Sequence, residues 1–280
     1  MRTQELKLFS AKIRLETSKM LLKRGFGHLG GSFSIVETLS VLYGEVMKID
    51  PKNPKWEERD WFVLSKGHAG PALYSTLALK GYFPLEWLST LNENGTHLPS
   101  HPDRLRTPGV DCTTGSLGQG ISQAVGLAKA FQLDHKAIRV YCIVGDGELN
   151  EGQVWEAIQF AAHHKLNQFL LFIDENHKQL DGLTKDIMNP FDVKTKLEAF
   201  GFNSIRIKGN DEALILRTIL ECQKINDKPS CIVLDTIKGQ GIKFFEDLSD
   251  NHHIRFANET ENELKAAITE LENTVNKELK

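Results

Sequence analysis

Short apolar runs alternate along most of the chain with longer stretches in which apolar residues recur every three or four positions. Five of the apolar runs have the length and composition of strands, at residues 61–64, 138–144, 169–173, 203–207 and 230–236. The longer periodic stretches predict helices at residues 3–24, 34–47, 69–79, 118–133, 154–162, 190–200 and 211–225. This alternation predicts an α/β fold: a mostly parallel, doubly wound sheet with helices on both faces.

Two segments depart from this pattern. Residues 92–116 are rich in Gly, Pro, Asn, His and Thr, which predicts a long loop of the kind that often carries function. The charged tail has a modest apolar stripe of Leu264, Ile268 and Leu271, which predicts a docking helix at about 258–277. The chain has 280 residues, enough for one large domain or two small ones. Because it shows no repeat or low-complexity linker, we expect a single domain over residues 1–280.

Composition excludes several classes of protein. The hydrophobic fraction of 40% and the charged fraction of 25% are those of an ordinary globular protein. A net charge of −3 gives no basic field for nucleic acid, so we expect no nucleic-acid partner. No apolar stretch approaches the roughly 18 residues that a membrane span needs, so we expect no membrane association.

The cysteines and the N-terminus bear on the compartment. The four cysteines form no Cys-x-x-Cys pair, and Cys142 and Cys231 lie within apolar, strand-like runs, which predicts buried free thiols in a reducing compartment. The N-terminus is basic enough to suggest a transit peptide, but Glu5 and Glu16 argue against one. We therefore expect a cytoplasmic protein.

The most informative segment is a strand–helix–strand crossover. Gly145-Asp146-Gly147 follows one predicted strand, and Asn176 follows the next. Asp146 and Asn176 should therefore lie at the same carboxyl edge of the sheet, where open α/β sheets bind ligands. A carboxylate and an amide oxygen, beside glycines that let the backbone approach a phosphate, suit a hard cation that holds a diphosphate. A glycine turn of an ordinary crossover is the alternative.

These residues resemble the metal motif of the thiamine diphosphate (TPP) enzymes, Gly-Asp-Gly followed by a spaced Asn. Five further segments resemble one branch of those enzymes, the transketolases. They are Gly27-His28-Leu29-Gly30-Gly31-Ser32, Leu64-Ser65-Lys66-Gly67-His68-Ala69, Ser100-His101-Pro102, Thr113-Thr114-Gly115-Ser116-Leu117-Gly118-Gln119-Gly120, and Lys238-Gly239-Gln240-Gly241 with His252 downstream. The motifs occur in the family's order and cover about residues 10 to 256, which implies the TPP-binding fold.

Four histidines are candidate catalytic residues. His28, His68 and His101 each follow or adjoin Gly or Pro in a predicted loop. Imidazoles exchange protons near neutral pH and donate hydrogen bonds to sugar hydroxyls and phosphates, although a solvated surface residue is the alternative for each. The resemblance implies that His28 and His101 touch the first two carbons of the donor sugar. It also implies that His68 and His252 lie near the diphosphate and the reacting centre, with His252 a candidate for proton transfer.

The resemblance implies a set of cofactor and metal contacts as well. The cofactor contacts are His68, Gly115, Ser116, Leu117, Gly145, Asp146, Gly147, Asn176, Ile237 and His252. The segment from Gly115 opens a predicted helix whose backbone N–H groups would face the cofactor, with an ordinary glycine turn as the alternative. Asp146, Asn176 and the backbone carbonyl near Lys178 would hold Mg²⁺, or Ca²⁺, together with diphosphate oxygens.

Two residues have an equally plain structural explanation. Glu151 matches a family acid near the subunit interface, but an acid at a helix N-terminus is stabilised by the helix dipole in any protein. Ile237 follows the last predicted strand and would press on the aminopyrimidine ring of the cofactor, or it would belong to the core, which we favour slightly.

The sequence departs from the family pattern in two places. Leu29 follows His28 where many members have Pro. At Asn251-His252-His253 the family usually has Trp or Val before the histidine and Gly after it. This second departure leaves open whether His252 or His253 takes the family role, and it is a signal for an altered substrate.

Full-length transketolases continue into a pyrimidine-binding domain and a C-terminal domain. The first of these supplies a glutamate that protonates the aminopyrimidine, and residues that bind the sugar phosphate. Nothing after residue 257 resembles either domain. We therefore expect an obligate partner, a C-terminal transketolase subunit that carries both domains, and assembly into a heterotetramer. A truncated chain is the alternative.

The resemblance implies TPP- and Mg²⁺-dependent transfer of a two-carbon ketol unit from a ketose phosphate to an aldose phosphate. The nearest rival is the α subunit of a 2-oxo acid dehydrogenase, which accounts for Gly145 to Ala157 but not for the histidine motifs. A 1-deoxyxylulose-5-phosphate synthase shares related segments but normally keeps all its domains in one chain. A transketolase-like enzyme with another donor or acceptor, and a non-catalytic TPP-binding protein, remain open.

Overall fold

Five parallel strands form the central sheet of the computed structural model, which describes residues 2–278. The strands are β1 (Phe26–Gly27), β2 (Trp61–Leu64), β3 (Val140–Gly145), β4 (Phe169–Glu175), β5 (Asn203–Lys208), β6 (Ser230–Asp235) and β7 (Ile254–Arg255). The sheet order is β2-β3-β4-β6-β5, and β1 and β7 pair separately in an antiparallel ribbon. All five predicted strands are confirmed, each within two residues of the predicted bounds; β3 and β4 are buried along their whole length, whereas the edge strand β5 alternates between buried and more exposed residues.

Helices cover both faces of the sheet, as predicted. They are α1 (Arg2–Arg24), α2 (Leu29–Phe33), α3 (Val36–Val41), α4 (Gly70–Lys80), α5 (Gln119–Leu133), α6 (Gly152–His163), α7 (Thr184–Ile187), α8 (Val193–Ala199), α9 (Glu212–Cys222), α10 (Lys243–Asp247) and α11 (Glu259–Glu278). One apolar core joins α1, α3, α4 and α9 to side chains such as Tyr141 and Ile143 of β3. The other joins α5, α6 and α8 to Cys142 and Val144, because successive side chains of a strand point to opposite faces.

The predicted helix at 34–47 is wrong as a single element. Within this range the chain forms α3 over Val36–Val41, followed by one π-helical turn over Leu42–Val46. Ser34 lies between α2 and α3, where its hydroxyl donates to the carboxylate of Asp174 at 2.7 Å and lies 3.2 Å from the carbonyl oxygen of Gly31. A serine side chain that bonds elsewhere competes with the helix, and the alternative partner here lies on a distant strand.

The segment between β4 and α8 also differs from its prediction. The predicted helix at 190–200 begins only at Val193, because Phe191 lies in the left-handed region at φ 51°. The short helix α7 lies between β4 and α8, where no helix was predicted.

The charged tail forms α11, which packs along α1. Leu264 is fully buried and Ile268 partly so, while Lys19 of α1 contacts Glu272 at 2.8 Å. Residues 1, 279 and 280 of the predicted domain lie outside the described residues. All four cysteines are free and buried, as predicted. Within residues 2–278, no helix is both long and apolar enough to cross a membrane.

Candidate active site

A cleft of about 380 Å³ opens at the carboxyl edge of the sheet. The ends of β2, β3, β4 and β6 supply most of its lining, because parallel strands all end at this edge. The predicted site residues that line it are His28, His68, His101, Gly115, Leu117, Gly145, Asp146, Gly147, Asn176, Lys178 and His252. Asp146 and Asn176 thus lie at the same edge of the sheet, where the crossover rule placed them.

Two predicted cofactor contacts do not line the cleft. Ser116 is exposed, and the side chain of Ile237 is 48% exposed. The interpretation of Ile237 as a core residue is therefore wrong. Glu151 lines the cleft as an exposed residue that directly precedes α6, and its side chain makes no capping hydrogen bond to that helix.

The histidines form one cluster centred on His28. The ring centroid of His28 lies 5.6 Å from that of His68, 5.8 Å from that of His101 and 5.3 Å from that of His252. The ring of His253 is closer still, at 4.7 Å and nearly perpendicular to His28. The ribbon of β1 and β7 produces this contact, because Gly27 pairs with Ile254 and so brings His28 beside His253.

Burial keeps these imidazoles neutral. It lowers the pKa of His28 to about 3, with smaller contributions from the neighbouring histidines and Lys238. Burial and then Lys238 lower the pKa of His252 to about 4. The pKa values of His68 and His101 are also lowered by burial, that of His68 further by Lys66. At neutral pH the cluster therefore offers N–H donors and lone pairs without adding charge.

His252 and His253 have different surroundings. The Nδ1 atom of His252 lies 3.1 Å from the Nζ atom of Lys238, and the residue lines the cleft. The ring of His253 lies behind that of His28 and also contacts Phe26, with centroids 5.6 Å apart. The residue that faces the cleft is thus His252.

The oxygen atoms expected to bind a metal lie together. Asp146 is 2% exposed, and its carboxylate accepts hydrogen bonds from the backbone N–H groups of Gly147 at 2.8 Å and His177 at 2.6 Å. Burial, reinforced by the charge of Asp174, raises the pKa of Asp146 to about 7. The side-chain oxygen of Asn176 accepts from the N–H of Lys178 at 3.2 Å. This set of hard oxygen donors fits Mg²⁺ or Ca²⁺.

The protein alone does not surround a metal ion at this place. Within residues 2–278, no group of three or more His, Cys, Asp or Glu side chains is arranged to hold one. A cation here would need the amide oxygen of Asn176, a backbone carbonyl and oxygens of a bound diphosphate to complete its coordination. The donor set is therefore suited to a cation that binds together with an anionic ligand.

Asp174 fixes the orientation of Asn176. The amide nitrogen of Asn176 donates to the Oδ2 atom of Asp174 at 2.7 Å, so its oxygen is the atom that is left for other partners. The same carboxylate accepts from Ser34, at 2.7 Å, and from Thr236, at 2.5 Å. Burial opposes ionisation of Asp174, but Lys66 and these donors outweigh it and hold its pKa below the usual value.

Two lysines in the cleft were not predicted as site residues. The ammonium group of Lys66, which is 1% exposed, donates to Asp174 at 2.7 Å and to the carbonyl oxygen of Gly31 at 2.6 Å. Lys238 donates to the carbonyl oxygen of Lys178 at 3.1 Å, and burial lowers its pKa to about 8. Both lysines follow a strand and precede a glycine. A cationic side chain at that position in the sequence indicates an anion-binding site at this edge of the sheet.

Glycines let the loops of the cleft approach one another. Gly115 has φ 152°, and a Cβ atom there would lie 3.2 Å from His101. A Cβ atom on Gly67 would lie 2.8 Å from the backbone nitrogen of Gly115. A side chain at either position would therefore push apart the loops that carry His68 and His101.

The residues that line the cleft are of the kinds that could hold a diphosphate and a divalent cation beside a histidine cluster. Residues 7–273 match the family described as "Transketolase, thiamine diphosphate binding domain". The chain belongs to the transketolase family, of which it represents the N-terminal, TPP-binding part.

Two similar proteins are named as subunits. The chain is 51% identical over 261 residues to the 6-deoxy-6-sulfo-D-fructose transketolase subunit SqwG of Clostridium sp. (strain MSTE9), covering 93% of this chain and 94% of that protein. It is 36% identical to an apulose-4-phosphate transketolase subunit of Phocaeicola vulgatus, with 90% of each chain covered. This chain thus has the extent of a separate subunit in these relatives.

Transketolases that carry all domains in one chain are longer. The crystal structure of transketolase from Campylobacter jejuni superposes with a TM-score of 0.85 at 34% identity, covering 96% of this chain and 43% of that one. The transketolase of Treponema pallidum is 37% identical, and the match spans 40% of its length. The chain therefore spans about two fifths of these transketolases.

Proposed function

We propose that residues 1–280 act as a single TPP diphosphate-binding domain, the N-terminal subunit of a split transketolase. With a C-terminal partner subunit it would transfer a two-carbon ketol unit from a ketose to an aldose, using TPP and Mg²⁺. The observation that carries this proposal is the cleft in which His28, His68, His101 and His252 face the oxygens of Asp146 and Asn176. The transketolase family match favours ketol transfer over the reaction of a 2-oxo acid dehydrogenase.

The cleft fits the cofactor and its cation. Asp146, Asn176 and the carbonyl oxygen of Lys178 would hold Mg²⁺ together with the diphosphate. Lys66 and Lys238 place two buried ammonium groups in the same lining, where they would offset the negative charge of the diphosphate. Calcium would fit the same donors, because the set imposes no strict octahedron.

Bound TPP supplies a carbon nucleophile and an electron sink, which together allow a carbon–carbon bond of the sugar to break. The protein's part is to orient the sugar and to move protons at its oxygen atoms. His28 and His101 would donate hydrogen bonds to the hydroxyls of the donor's first carbons, and His68 would lie toward the diphosphate. Because their pKa values are lowered, these imidazoles would do so in the neutral form.

The contact with Lys238 determines which ring nitrogen of His252 carries the proton. An ammonium group has only N–H donors, so the Nδ1 atom of His252 must accept from Lys238, at 3.1 Å. The neutral ring then carries its proton on Nε2, and this N–H would face the sugar. His252 would thus exchange a proton with a sugar oxygen through Nε2 while Lys238 holds the ring.

The need for a partner is supported by an apolar rim beside the cleft. This rim consists of the exposed side chains of Leu180, Leu183, Ile187, Met188 and Phe191. Phe191 is 72% exposed and Met188 62%, while Leu180 also lines the cleft. Exposed apolar clusters of this kind mark interaction sites, and a subunit that completes the cleft would cover this rim. We propose that the two kinds of subunit form a heterotetramer in the cytoplasm.

A donor with a sulfonate in place of a phosphate is the second candidate. Identity of 51% over 93% of the chain to a 6-deoxy-6-sulfo-D-fructose transketolase subunit favours it. Removal of the first two carbons of that hexose would leave a four-carbon aldose that still carries the sulfonate. Both candidates use the same chemistry in this subunit and differ at the far end of the donor.

The test is ketol transfer by the full chain, alone and mixed with a candidate C-terminal subunit, in the presence of TPP and Mg²⁺. Xylulose 5-phosphate and 6-deoxy-6-sulfofructose would serve as donors, with ribose 5-phosphate as acceptor for both. Mass spectrometry would follow the shortened aldose, which differs in mass between the two donors. TPP binding would be measured in parallel by calorimetry.

Activity only in the mixture supports a split transketolase, and the accepted donor decides between the two candidates. A TPP-bound mixture that uses neither donor would contradict both substrate assignments. Absence of TPP binding by the chain and by the mixture would refute the proposal as a whole. Activity of the chain alone would refute the need for a partner.

A further inference from the structure

We propose that Glu148 is a positioning residue that holds together the loops around the cofactor diphosphate. This inference rests on the proposed function. Glu148 lies in the 3₁₀ turn Gly147–Asn150, directly after the metal-site residue Asp146, and it is 2% exposed. Its carboxylate accepts three hydrogen bonds, from the hydroxyl of Ser65 at 2.5 Å, the N–H of Gly118 at 2.8 Å and the N–H of Gly145 at 3.2 Å.

Each of these donors belongs to a different segment of the cleft. Ser65 precedes Lys66 at the end of β2, Gly118 ends the turn that begins at Gly115, and Gly145 ends β3. Glu148 therefore joins three loops that come from distant parts of the sequence. No other carboxylate in the described lining bridges three of its loops in this way.

The bridge extends into the first turn of α5. The hydroxyl of Ser65 donates to Glu148 and accepts from the N–H of Ile121 at 3.0 Å. A Cβ atom on Gly120 would lie 2.5 Å from the Cα atom of Ser65, so helix and loop are in close backbone contact. The start of α5, whose first N–H groups include those of Gly118 and Ile121, is thus fixed to the end of β2 through one hydroxyl and one carboxylate.

The hydrogen-bond donors around the side chain of Glu148 require a carboxylate. Three donors converge on it, and an ionised carboxylate has only acceptor sites, distributed over two oxygens. A glutamine could accept from Ser65 and Gly118 with its oxygen, but its amide nitrogen would face the N–H of Gly145. The backbone at the two glycines has no side chain of its own to fix it, so its position depends on this acceptor.

The test compares Glu148→Ala, Glu148→Gln and a matched control, Asp60→Asn. Asp60 is also a buried carboxylate that accepts two backbone N–H groups, from Lys48 and Arg139, both at 2.9 Å, but it lies at the opposite edge of the sheet. Amide hydrogen exchange would be followed in peptides that cover residues 115–121 and 143–147. TPP affinity in the presence of Mg²⁺ would be measured by calorimetry, in a mixture with the partner if the chain alone does not bind.

We expect Glu148→Ala to speed exchange in both peptides and to weaken TPP binding about 10- to 100-fold, as supporting residues of metal sites do. Glu148→Gln should speed exchange mainly in residues 143–147 and weaken TPP less than the alanine variant. Asp60→Asn should lower the melting temperature without changing the TPP affinity. A general loss of stability would not by itself produce this order of TPP affinities and exchange rates among the three variants.

Amide hydrogen exchange tests whether Glu148 bridges the loops, and it does so whether or not the protein binds TPP. Unchanged exchange in both peptides of Glu148→Ala would overturn the inference, as would TPP affinity within about twofold of the unmodified protein. If the unmodified protein and its mixture bind no TPP, the proposed function fails and the positioning role toward the cofactor fails with it. Altered exchange would then still establish the bridge as a structural one.

Discussion

Replacement of Lys66 by methionine tests the energetics of the buried ion pair beneath the cleft. The substitution leaves the carboxylate of Asp174, which is 0% exposed, without its cation. Removal of one partner of a buried pair costs about 3–5 kcal/mol. The hydroxyls of Ser34 and Thr236 and the amide of Asn176 continue to donate to Asp174, so we expect the lower end, about 3 kcal/mol.

The free energy of unfolding would be measured by urea denaturation, followed by the fluorescence of the four tryptophans and by far-UV circular dichroism. For a protein of ordinary stability, about 5–15 kcal/mol, a loss of this size is readily resolved. Lys194→Met is the matched control, because Lys194 pairs with Glu198 on the surface of α8. That exposed pair should contribute no more than about 0.5 kcal/mol.

The double variant Lys66→Met with Asp174→Asn completes the test. It contains no unpaired buried charge, so it should be more stable than Lys66→Met by at least about 1 kcal/mol. The reasoning would be refuted if Lys66→Met cost no more than the surface control. It would also be refuted if the two substitutions were simply additive, since that would mean the charges do not interact.

Three further predictions concern the metal, the partner and pH. Asp146→Asn should weaken Mg²⁺-dependent TPP binding by at least about tenfold, measured by titration of Mg²⁺ after treatment with a chelator. The variant Met188→Ser with Phe191→Ser should weaken association with the partner subunit, measured by analytical ultracentrifugation, because these are the most exposed of the apolar side chains in the rim segment 183–191. Burial lowers the pKa of His28 from 6.5 to about 3, so the unfolded chain binds more protons in this range and the free energy of unfolding falls as pH falls from 6.5 toward 3. His28→Gln should flatten that dependence in urea titrations at several pH values.

Each of these predictions has a contrary outcome. Full Mg²⁺ response in Asp146→Asn would remove that residue from the metal site. Leu105→Ser is the control for the rim, because Leu105 is 89% exposed and does not belong to it; an equal loss of partner binding in both variants would contradict a specific interface. For pH, the exposed His135 is the control, and His135→Asn should leave the slope unchanged, since asparagine tolerates the left-handed φ of 53° at that position.

The parts of the fold that were predictable from sequence are those set by local pattern. β3 and β4 are buried on both faces and read as continuous apolar runs, which fixed their place in the chain. The crossover between them then brought Asp146 and Asn176 to one edge without knowledge of the remaining strands. The histidines were singled out by the resemblance of their motifs to those of the transketolases, and the structure brings all four to one cleft.

The parts that were missed depend on contacts between distant residues. Lys66 and Asp174 are 108 positions apart, and no local pattern shows that one lies buried against the other. The same carboxylate accepts a hydrogen bond from Ser34, the first residue of the predicted helix 34–47, and the observed α3 begins two residues later at Val36. Ile237 follows a buried strand and therefore suggested a core residue, but the chain leaves the sheet before it.

The neutral histidines beside Lys238 could take up protons if the charge of that lysine were compensated. Lys238 is among the groups that lower the pKa values of His28 and His252, after burial itself. An anionic diphosphate bound to Lys238 would cancel part of that charge, and the proton affinity of both imidazoles would rise. Because these pKa values start from about 3 and 4, the proton uptake that accompanies cofactor binding would be measurable in acidic buffers, where the heat of binding would vary with the ionisation enthalpy of the buffer chosen.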